Sequence, residues 1–276
     1  MTVRIAHLSD IHFGGENQAA LEAVTRRLHE EAFDLTVVSG DLTRWAEADE
    51  FEAAAAWLSG LPGAKLVAPG NHDAPYKAWA QRLFVPFRRF ERRIGPASVQ
   101  THLGEGVAVY GLNTARGAQP RLNWSKGQIS TRQSAAAARW MAVAAPAQAL
   151  RVVVCHHPLV EVTGGPMTGR VWGGASAAQA LAEAGVDLIL SGHIHAPSAH
   201  PLPYADQHTY AVVAGTLSQR ERGVPAGFNL VEADEAVVRV TALGWSGSHF
   251  EPQRTWSLDR RRSDAGVTGP GRAPRA

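Results

Sequence analysis

The chain has 276 residues, 45% of them hydrophobic and 19% charged, with a formal net charge of +2. That balance excludes a disordered or fibrous chain and fits one large globular α/β domain. No apolar run approaches the ~18 residues of a membrane span, the opening MTVRIAHLSD reads as the start of a strand, so no signal peptide is expected, and the single cysteine, Cys155, can close no internal disulfide. The expected location is therefore the cytoplasm. Residues 259–276 hold five arginines and two aspartates, a net of +3, so the remaining body is about −1. A groove for DNA or RNA should make the body itself basic, and nucleic acid is not an expected partner.

Taken in order, the first apolar run, 3–9, predicts a strand that ends at Asp10 and His12 in HLSDIH. A helical pattern over 17–32 precedes a strand at 35–39, which ends at Asp41 in VVSGD. Helix 45–59 is followed by strand 65–69, ending at Asn71, His72 and Asp73 in VAPGNHD. A helix over roughly 78–94 carries five arginines within Arg82–Arg93, interleaved with Phe84, Phe87 and Phe90. It reads as amphipathic, with Leu83, Phe87 and Phe90 inward and the arginines solvated, or as a rim that attracts phosphate.

Strand 107–112 ends at Asn113, and the polar connection 114–129 leads to helix 130–145. Strand 152–156 ends at His156 in VVVCHHP, and a Gly-rich connection, 160–174, leads to helix 175–184. Strand 186–191 ends at His193 and His195 in LILSGHIH; strands 210–214, 228–232 and 236–243 follow, the last two as a hairpin. Alternating β and α elements predict parallel strands with helices outside. Long irregular connections in a compact domain are often lids or binding loops. The tail, 259–276, is too poor in apolar residues to order itself.

An open α/β sheet gathers ligands outside the carboxyl ends of its strands. Asp, His and Asn at five successive strand ends therefore predict one metal site drawn from distant sequence. In Asp10-Ile11-His12 and His193-Ile194-His195 an extended backbone would set the outer residues on one side and the isoleucine on the other. Gly40, Gly70 and Gly192 each precede a site residue, where the chain must turn without a Cβ in the way; Pro69 and Pro158 stiffen the same turns. His7 is out of phase with the ligand end and reads as core or edge. His157 points away from His156 in an extended strand, which leaves it at most a rim or supporting group. His29, His102, His200, His208 and His249 read as surface or structural.

The order Asp-x-His, Gly-Asp, Gly-Asn-His-Asp, His and Gly-His-x-His resembles the calcineurin-like metallophosphoesterases, two-metal enzymes that hydrolyse phosphate esters. SDIH, GDLT, PGNHD, CHHP and SGHIH look most like the branch containing the bacterial class III cyclic-nucleotide phosphodiesterases. The resemblance spans about residues 3–216. It implies two mixed β-sheets packed face to face with helices outside, a four-layer α-β-β-α arrangement, in one domain over 1–258. It places Asp10, His12, Asp41 and His195 on one metal and Asp41, Asn71, His156 and His193 on the other, with Asp41 bridging through its two oxygens. Such a nitrogen and oxygen donor set favours Mn, Fe or Zn over Mg.

The implied reaction is direct hydrolysis by a metal-bridging hydroxide. His72 would protonate the leaving oxygen or steady the phosphoryl group, and Asp73 would orient the His72 imidazole. Arg44, Asn113 and Arg116 are candidate contacts to the substrate phosphate. A small diester is the first expectation (cyclic nucleotide, glycerophosphodiester or aryl diester), with a phosphomonoester or a nucleotide or lipid-sugar pyrophosphate next. A metal-free protein-binding scaffold of the same fold would have lost ligands, whereas all seven stand here.

Overall fold

The computed structural model describes residues 2–146, 148–161, 171–203, 205 and 207–261. Its strands and helices are numbered in chain order. β1 (Val3–Leu8), β2 (Leu35–Ser39) and β3 (Lys65–Ala68) pair in parallel. On the other side of β1, β10 (Gly227–Ala233), β11 (Val237–Trp245) and β12 (Phe250–Asp259) add an antiparallel meander, giving the order β12-β11-β10-β1-β2-β3. The second sheet is built on parallel β5 (Val107–Leu112), β6 (Leu150–Val154), β7 (Leu188–Ser191) and β9 (Tyr210–Val213). Antiparallel β4 (Val99–Gly104) and β8 (Ser198–Pro201) close its two edges.

The pleat divides each strand between two cores. In β1 and β2, Ile5 and Val37 point into a layer shared with Val109, Val152 and Leu190 of the other sheet. Their neighbours Ala6 and Val38 face the opposite way, onto Val24 and Leu28 of α1 (Gln18–Glu30) and Phe51 of α2 (Ala48–Gly60). On the far face, Tyr110, Val153 and Ile189 pack under Ala137 and Met141 of α5 (Thr131–Ala144) and Leu181 of α6 (Gly174–Glu183). The layers run α-β-β-α, as expected. Burial on both faces explains why these parallel strands read as unbroken apolar runs. Among the described residues no helix is long and apolar enough to cross a membrane.

Three strands lack the sequence signal. β4, β8 and β12 lie at sheet edges and are largely exposed, so they carry few apolar residues. The single helix expected over 78–94 is two short ones, α3 (Trp79–Phe84) and α4 (Arg88–Arg93). Pro86 is the cause: the residue before a proline is excluded from helical geometry, and Val85 sits at φ −145°, ψ 58°. Phe90 is buried as expected, but Leu83 is exposed and Arg82 is buried. The expected start of the tail is also corrected, since Asp259 ends β12 and Arg260 donates to Asp234 O at 2.7 Å. Residues 262–276, and most of the Gly-rich 160–174 connection, lie outside the described residues.

Candidate metal centre and its cavity

β1, β2, β3, β6 and β7 all stop at the same end of the paired sheets, and the expected ligands follow within a few residues. The local backbone is not the extended one read from the spacing. Asp10 (φ 52°), His12 (54°), Asp41 (50°), His193 (70°) and His195 (59°) are left-handed. This region costs a non-glycine residue on the order of 1 kcal/mol or more, so the surroundings must enforce it. Asp10 N donates to Gly40 O at 3.0 Å and His12 N to Asp41 O at 3.1 Å, tying two of the loops together. Ile11 and Ile194 between the site residues are buried, as expected.

Of the three glycines, only Gly40 needs a left-handed backbone (φ 101°). Gly70 and Gly192 are required by proximity instead: a Cβ would lie 2.2 Å from Asp41 Oδ1 at the first and 1.8 Å from Ser9 Oγ at the second.

The imidazoles are aimed by their far nitrogens. Nδ1 of His12 faces Thr43 O at 3.2 Å, that of His156 Ser39 O at 2.9 Å, and that of His195 Arg220 O at 2.8 Å. Each carbonyl can only accept, so Nδ1 carries a proton and Nε2 is the nitrogen turned inward, which is how metal-binding histidines are oriented. Nε2 of His195 lies 3.0 Å from Asp10 Oδ1, and Nε2 of His156 lies 3.3 Å from Asp41 Oδ2. His12 Nε2, 3.8 Å from Asp10 Oδ1 and 3.9 Å from Asp41 Oδ2, is buried without a hydrogen-bond partner.

The two carboxylates divide their oxygens. Asp41 Oδ1 accepts from His72 N at 2.7 Å, and Asp10 Oδ2 accepts from Ser9 Oγ at 2.6 Å and His193 N at 2.9 Å. Oδ2 of Asp41 thus faces both His156 and His12, while Oδ1 is engaged by the His72 N–H.

Charge follows the same plan. Burial pushes the Asp41 carboxyl up, but His156, His72 and His12 around it hold it well below the ordinary value. Asp10 is likewise lowered against its burial, chiefly by His195. Burial drives His12 down to about 4 and His193 to about 3, so both offer neutral nitrogens. Burial also opposes charge on His156 and His195, yet Asp41 raises the first to about 9 and Asp10 raises the second. A proton there stands where a cation would bind, so metal binding should release it.

Above these groups opens a cavity of about 650 Å³. His12, Asp41, Asn71, His193 and His195 form its floor, and Arg44, Trp45, Tyr76, Ser125, Arg220 and Arg222 rise around it. His72 stands at its edge with Nδ1 fixed on Arg44 O at 2.7 Å, leaving Nε2 for the cavity, 3.3 Å from Arg220 Nη1 and 3.4 Å from the Tyr76 hydroxyl.

The family model for calcineurin-like phosphoesterases matches residues 3–197. The chain belongs to that family. No curated protein sequence matches it. Among solved structures, a dimetal phosphatase from Danio rerio is 10% identical with a TM-score of 0.68, covering 94% of this chain and 99% of its own. PhoD is 10% identical with a TM-score of 0.69, over 97% of this chain and 73% of its own. A purple acid phosphatase from yellow lupin (Lupinus luteus) is 12% identical with a TM-score of 0.65, over 94% of this chain and 54% of its own. At such identities the likeness concerns the fold.

Calcineurin-like phosphoesterases depend on two metals, and the donors of this chain fit that requirement. Asp10 with His12 and His195, and Asp10 with Asp41 and His156, each bring ligand atoms within 4.8 Å of one another. Asn71 joins them, its side-chain amide lying 3.1 Å from His193 Nδ1 and 3.3 Å from His156 Nε2, His157 Nε2 and Ser125 O. With the buried, partnerless Nε2 of His12 beside them, these His and Asp clusters could hold metal.

Other expectations are corrected. The Asp73 carboxylate makes no hydrogen bond to the His72 imidazole among the described residues. Its buried carboxylate accepts from Leu42 N, Thr43 N, Thr43 Oγ1 and Gly70 N at 2.8–3.2 Å, which staples the β2 and β3 loops together. The Arg44 carbonyl orients His72 instead. Asn113 and Arg116 are absent from the cavity lining: Asn113 Oδ1 caps Ala115 N at 2.7 Å, and Arg116 is held by Gln133 and two backbone carbonyls.

His157 does not point away. Its ring is 4.6 Å from that of His193, with Nε2 on Ser125 O at 2.8 Å and Nδ1 on Thr114 Oγ1 at 2.9 Å, so it buttresses the ligands. His7 is buried as expected and lowered to about 3 by burial. Arg44 lines the cavity as expected. Sequence reasoning missed Trp45, Tyr76, Arg220 and Arg222, because a rim residue has no fixed spacing from a motif; only SQRER after β9, with two arginines close together, offered a hint.

Proposed function

We propose that this calcineurin-like phosphoesterase hydrolyses phosphodiesters, with His72 as the proton donor to the leaving oxygen. The observation that carries the reading is the composition of the cavity: donors for two metals on its floor, three arginines and two aromatic rings on its walls, and a volume of about 650 Å³. That volume lies within the range that encloses a small organic ligand, and so suits a phosphorus carrying two substituents better than a bare phosphoryl group. When bound, the metals supply Lewis acidity, an acidified water and neutralisation of phosphoryl charge. Asp10, His12, Asp41 and His195 would hold one, and Asp41, Asn71, His156 and His193 the other.

The remaining work belongs to side chains at the rim. Arg44, Arg220 and Arg222 bring positive charge to the place where a phosphate enters, and fixed charges in a partly dry site favour charge that builds up in the transition state. Trp45 and Tyr76 offer apolar faces to a substituent. With Nδ1–H tied to a carbonyl, His72 exchanges protons through Nε2 alone, which faces the reacting space. The same three arginines would suit a monoester dianion, so substrate choice is the point to test.

The protein, stripped and reloaded separately with Mn, Fe, Zn or Mg, should cleave bis(p-nitrophenyl) phosphate faster than p-nitrophenyl phosphate, with Mg the weakest. Preference for the monoester would overturn the diester reading. No turnover of either with two metals bound per chain would remove both probes from the substrate class.

A further inference from the structure

Between the β3 loop and α4, basic and apolar side chains have exchanged the places that water alone would give them. Arg82 is 6% exposed, whereas Trp79 is 69%, Leu83 42%, Phe84 80% and Val85 43% exposed. Burying a guanidinium is unfavourable unless its donors are satisfied, and here carbonyls satisfy them. Arg82 Nε donates to Gly117 O at 2.8 Å, and Nη1 donates to Ala74 O at 2.9 Å and Pro75 O at 3.1 Å. Its plane also lies 4.8 Å from the Tyr76 ring and 5.9 Å from that of Trp124. The arginine thus fastens α3 to the 114–129 connection and to the β3 loop, in an orientation that leaves its apolar side outward.

The exposed apolar surface reaches the cavity. Tyr76 and Trp45, at 39% and 37% exposure, belong both to it and to the cavity wall. Trp124, 37% exposed, lies near the same guanidinium. Large apolar side chains gathered on one exposed face mark an interaction surface.

Charge indicates what covers it. Residues 76–94 hold six basic side chains, Lys77, Arg82, Arg88, Arg89, Arg92 and Arg93, against the single acid Glu91. With Arg82 buried, the surface share is five bases and one acid, +4, or +2 once the two glutamates that pair with three of these bases are counted. Lys77 and Arg89 pair with Glu47, and Arg93 pairs with Glu52. Arg88 and Arg92 are exposed and have no ion pair among the described residues. Aromatic and aliphatic side chains flanked by arginines form the pattern of an element that lies in a lipid headgroup layer. A symmetric dimer through this face would bring two basic clusters together and is disfavoured by repulsion.

We propose that the α3 face docks on an anionic phospholipid bilayer and turns the cavity mouth toward the headgroups, so that diesters carried in the membrane are the substrates. The docking stands on the surface alone; the substrate class rests on the phosphodiesterase reading above.

The test uses the full-length, metal-loaded protein and sedimentation with vesicles of phosphatidylcholine, with and without phosphatidylglycerol. The protein should pellet with the mixed vesicles and only weakly with phosphatidylcholine alone. Trp79→Ser with Phe84→Ser should weaken partition by about 100-fold, from the apolar area withdrawn. Arg88→Gln with Arg92→Gln should weaken it by about fivefold per charge on anionic vesicles only, a second variant that leaves the apolar face intact. Leu103→Ser, at a residue 55% exposed on β4, should change nothing. Turnover of bis(p-nitrophenyl) phosphate should be equal in all.

Wild-type protein left in the supernatant with both vesicles overturns the docking, whatever it hydrolyses. Self-association that the Trp79→Ser, Phe84→Ser variant abolishes, without vesicle binding, identifies a second copy as the occupant and overturns it too. Docking with the soluble diester cleaved but no lipid diester cleaved overturns the substrate class alone. Docking with neither cleaved overturns the phosphodiesterase reading and leaves the docking standing.

Discussion

Replacing Gly70 by alanine tests whether the Asp41 carboxylate must stand where it does. The added methyl carbon would lie 2.2 Å from Asp41 Oδ1 and 2.3 Å from Asp41 N, against 3.4–4 Å for an ordinary contact. The shortfall of about 1.2 Å cannot be met by a flexible side-chain tip, because one of the two atoms is backbone. Gly70 is absent from the positive-φ glycines, so alanine there meets no left-handed penalty and the steric contact decides the effect.

Crowding of this kind costs about 1–3 kcal/mol of stability. Its larger consequence falls on the site. Asp41 Oδ1 accepts from His72 N at 2.7 Å, and Oδ2 faces His156 Nε2 at 3.3 Å. A shift of about 1 Å in such a group is expected to lower turnover by about 100-fold, with metal content reduced. Metal analysis by mass spectrometry and hydrolysis of an aryl phosphodiester would read both. Gly60→Ala is the control, since nothing lies within 4 Å of its Cβ position. A Gly70→Ala protein with two metals and wild-type turnover would refute the argument that this glycine exists for the carboxylate.

His72→Ala should slow turnover by about 10²–10⁴ with metal content unchanged, the range of a lost proton donor. Metal loss would instead make His72 a ligand, since its ring nitrogen lies within 4.8 Å of ligand atoms of His12 and Asp41. Asp41→Ala should lose both metals, because one oxygen faces the histidines of both sets; retention of either metal at full occupancy speaks against the bridge. Asp73→Asn should destabilise the protein, by an amount that depends on pH. Burial, with the charge of Asp41, raises the Asp73 carboxyl from 3.8 to about 6. Because the folded value is the higher one, this group's contribution is fully present below about pH 4 and is lost as pH rises through 6. Asparagine does not titrate, so in chelator-stripped protein the penalty of Asp73→Asn should be larger at pH 4 than at pH 7, by on the order of 3 kcal/mol. A penalty independent of pH in denaturant titrations would refute it.

The ends of the central strands were legible in the sequence because burial on both faces leaves unbroken apolar runs, and because Asp, His and Asn gather where those runs stop. Those two signals are local, so reading along the chain gives alternating β and α elements and a cluster of metal-binding side chains at strand ends, whereas the four-layer arrangement, the seven expected ligands and the role of His72 are what the family resemblance implies. Edge strands such as β4 and β12 were not legible, since half-exposed positions accept almost any residue and their place is set by the strand alongside. The left-handed backbone at Asp10, His12 and Asp41 was likewise hidden: spacing alone suggested an extended chain, and only hydrogen bonds between separate loops hold the other geometry. Tertiary contact also decided that Asp73 staples two loops instead of orienting its neighbour His72, and that His157 faces the ligands. It brought Arg220, 148 residues after His72, to within 3.3 Å of that imidazole. It also put Arg82 inside and Phe84 outside, against the preference of each side chain for water, because three carbonyls from two other segments converge on one guanidinium.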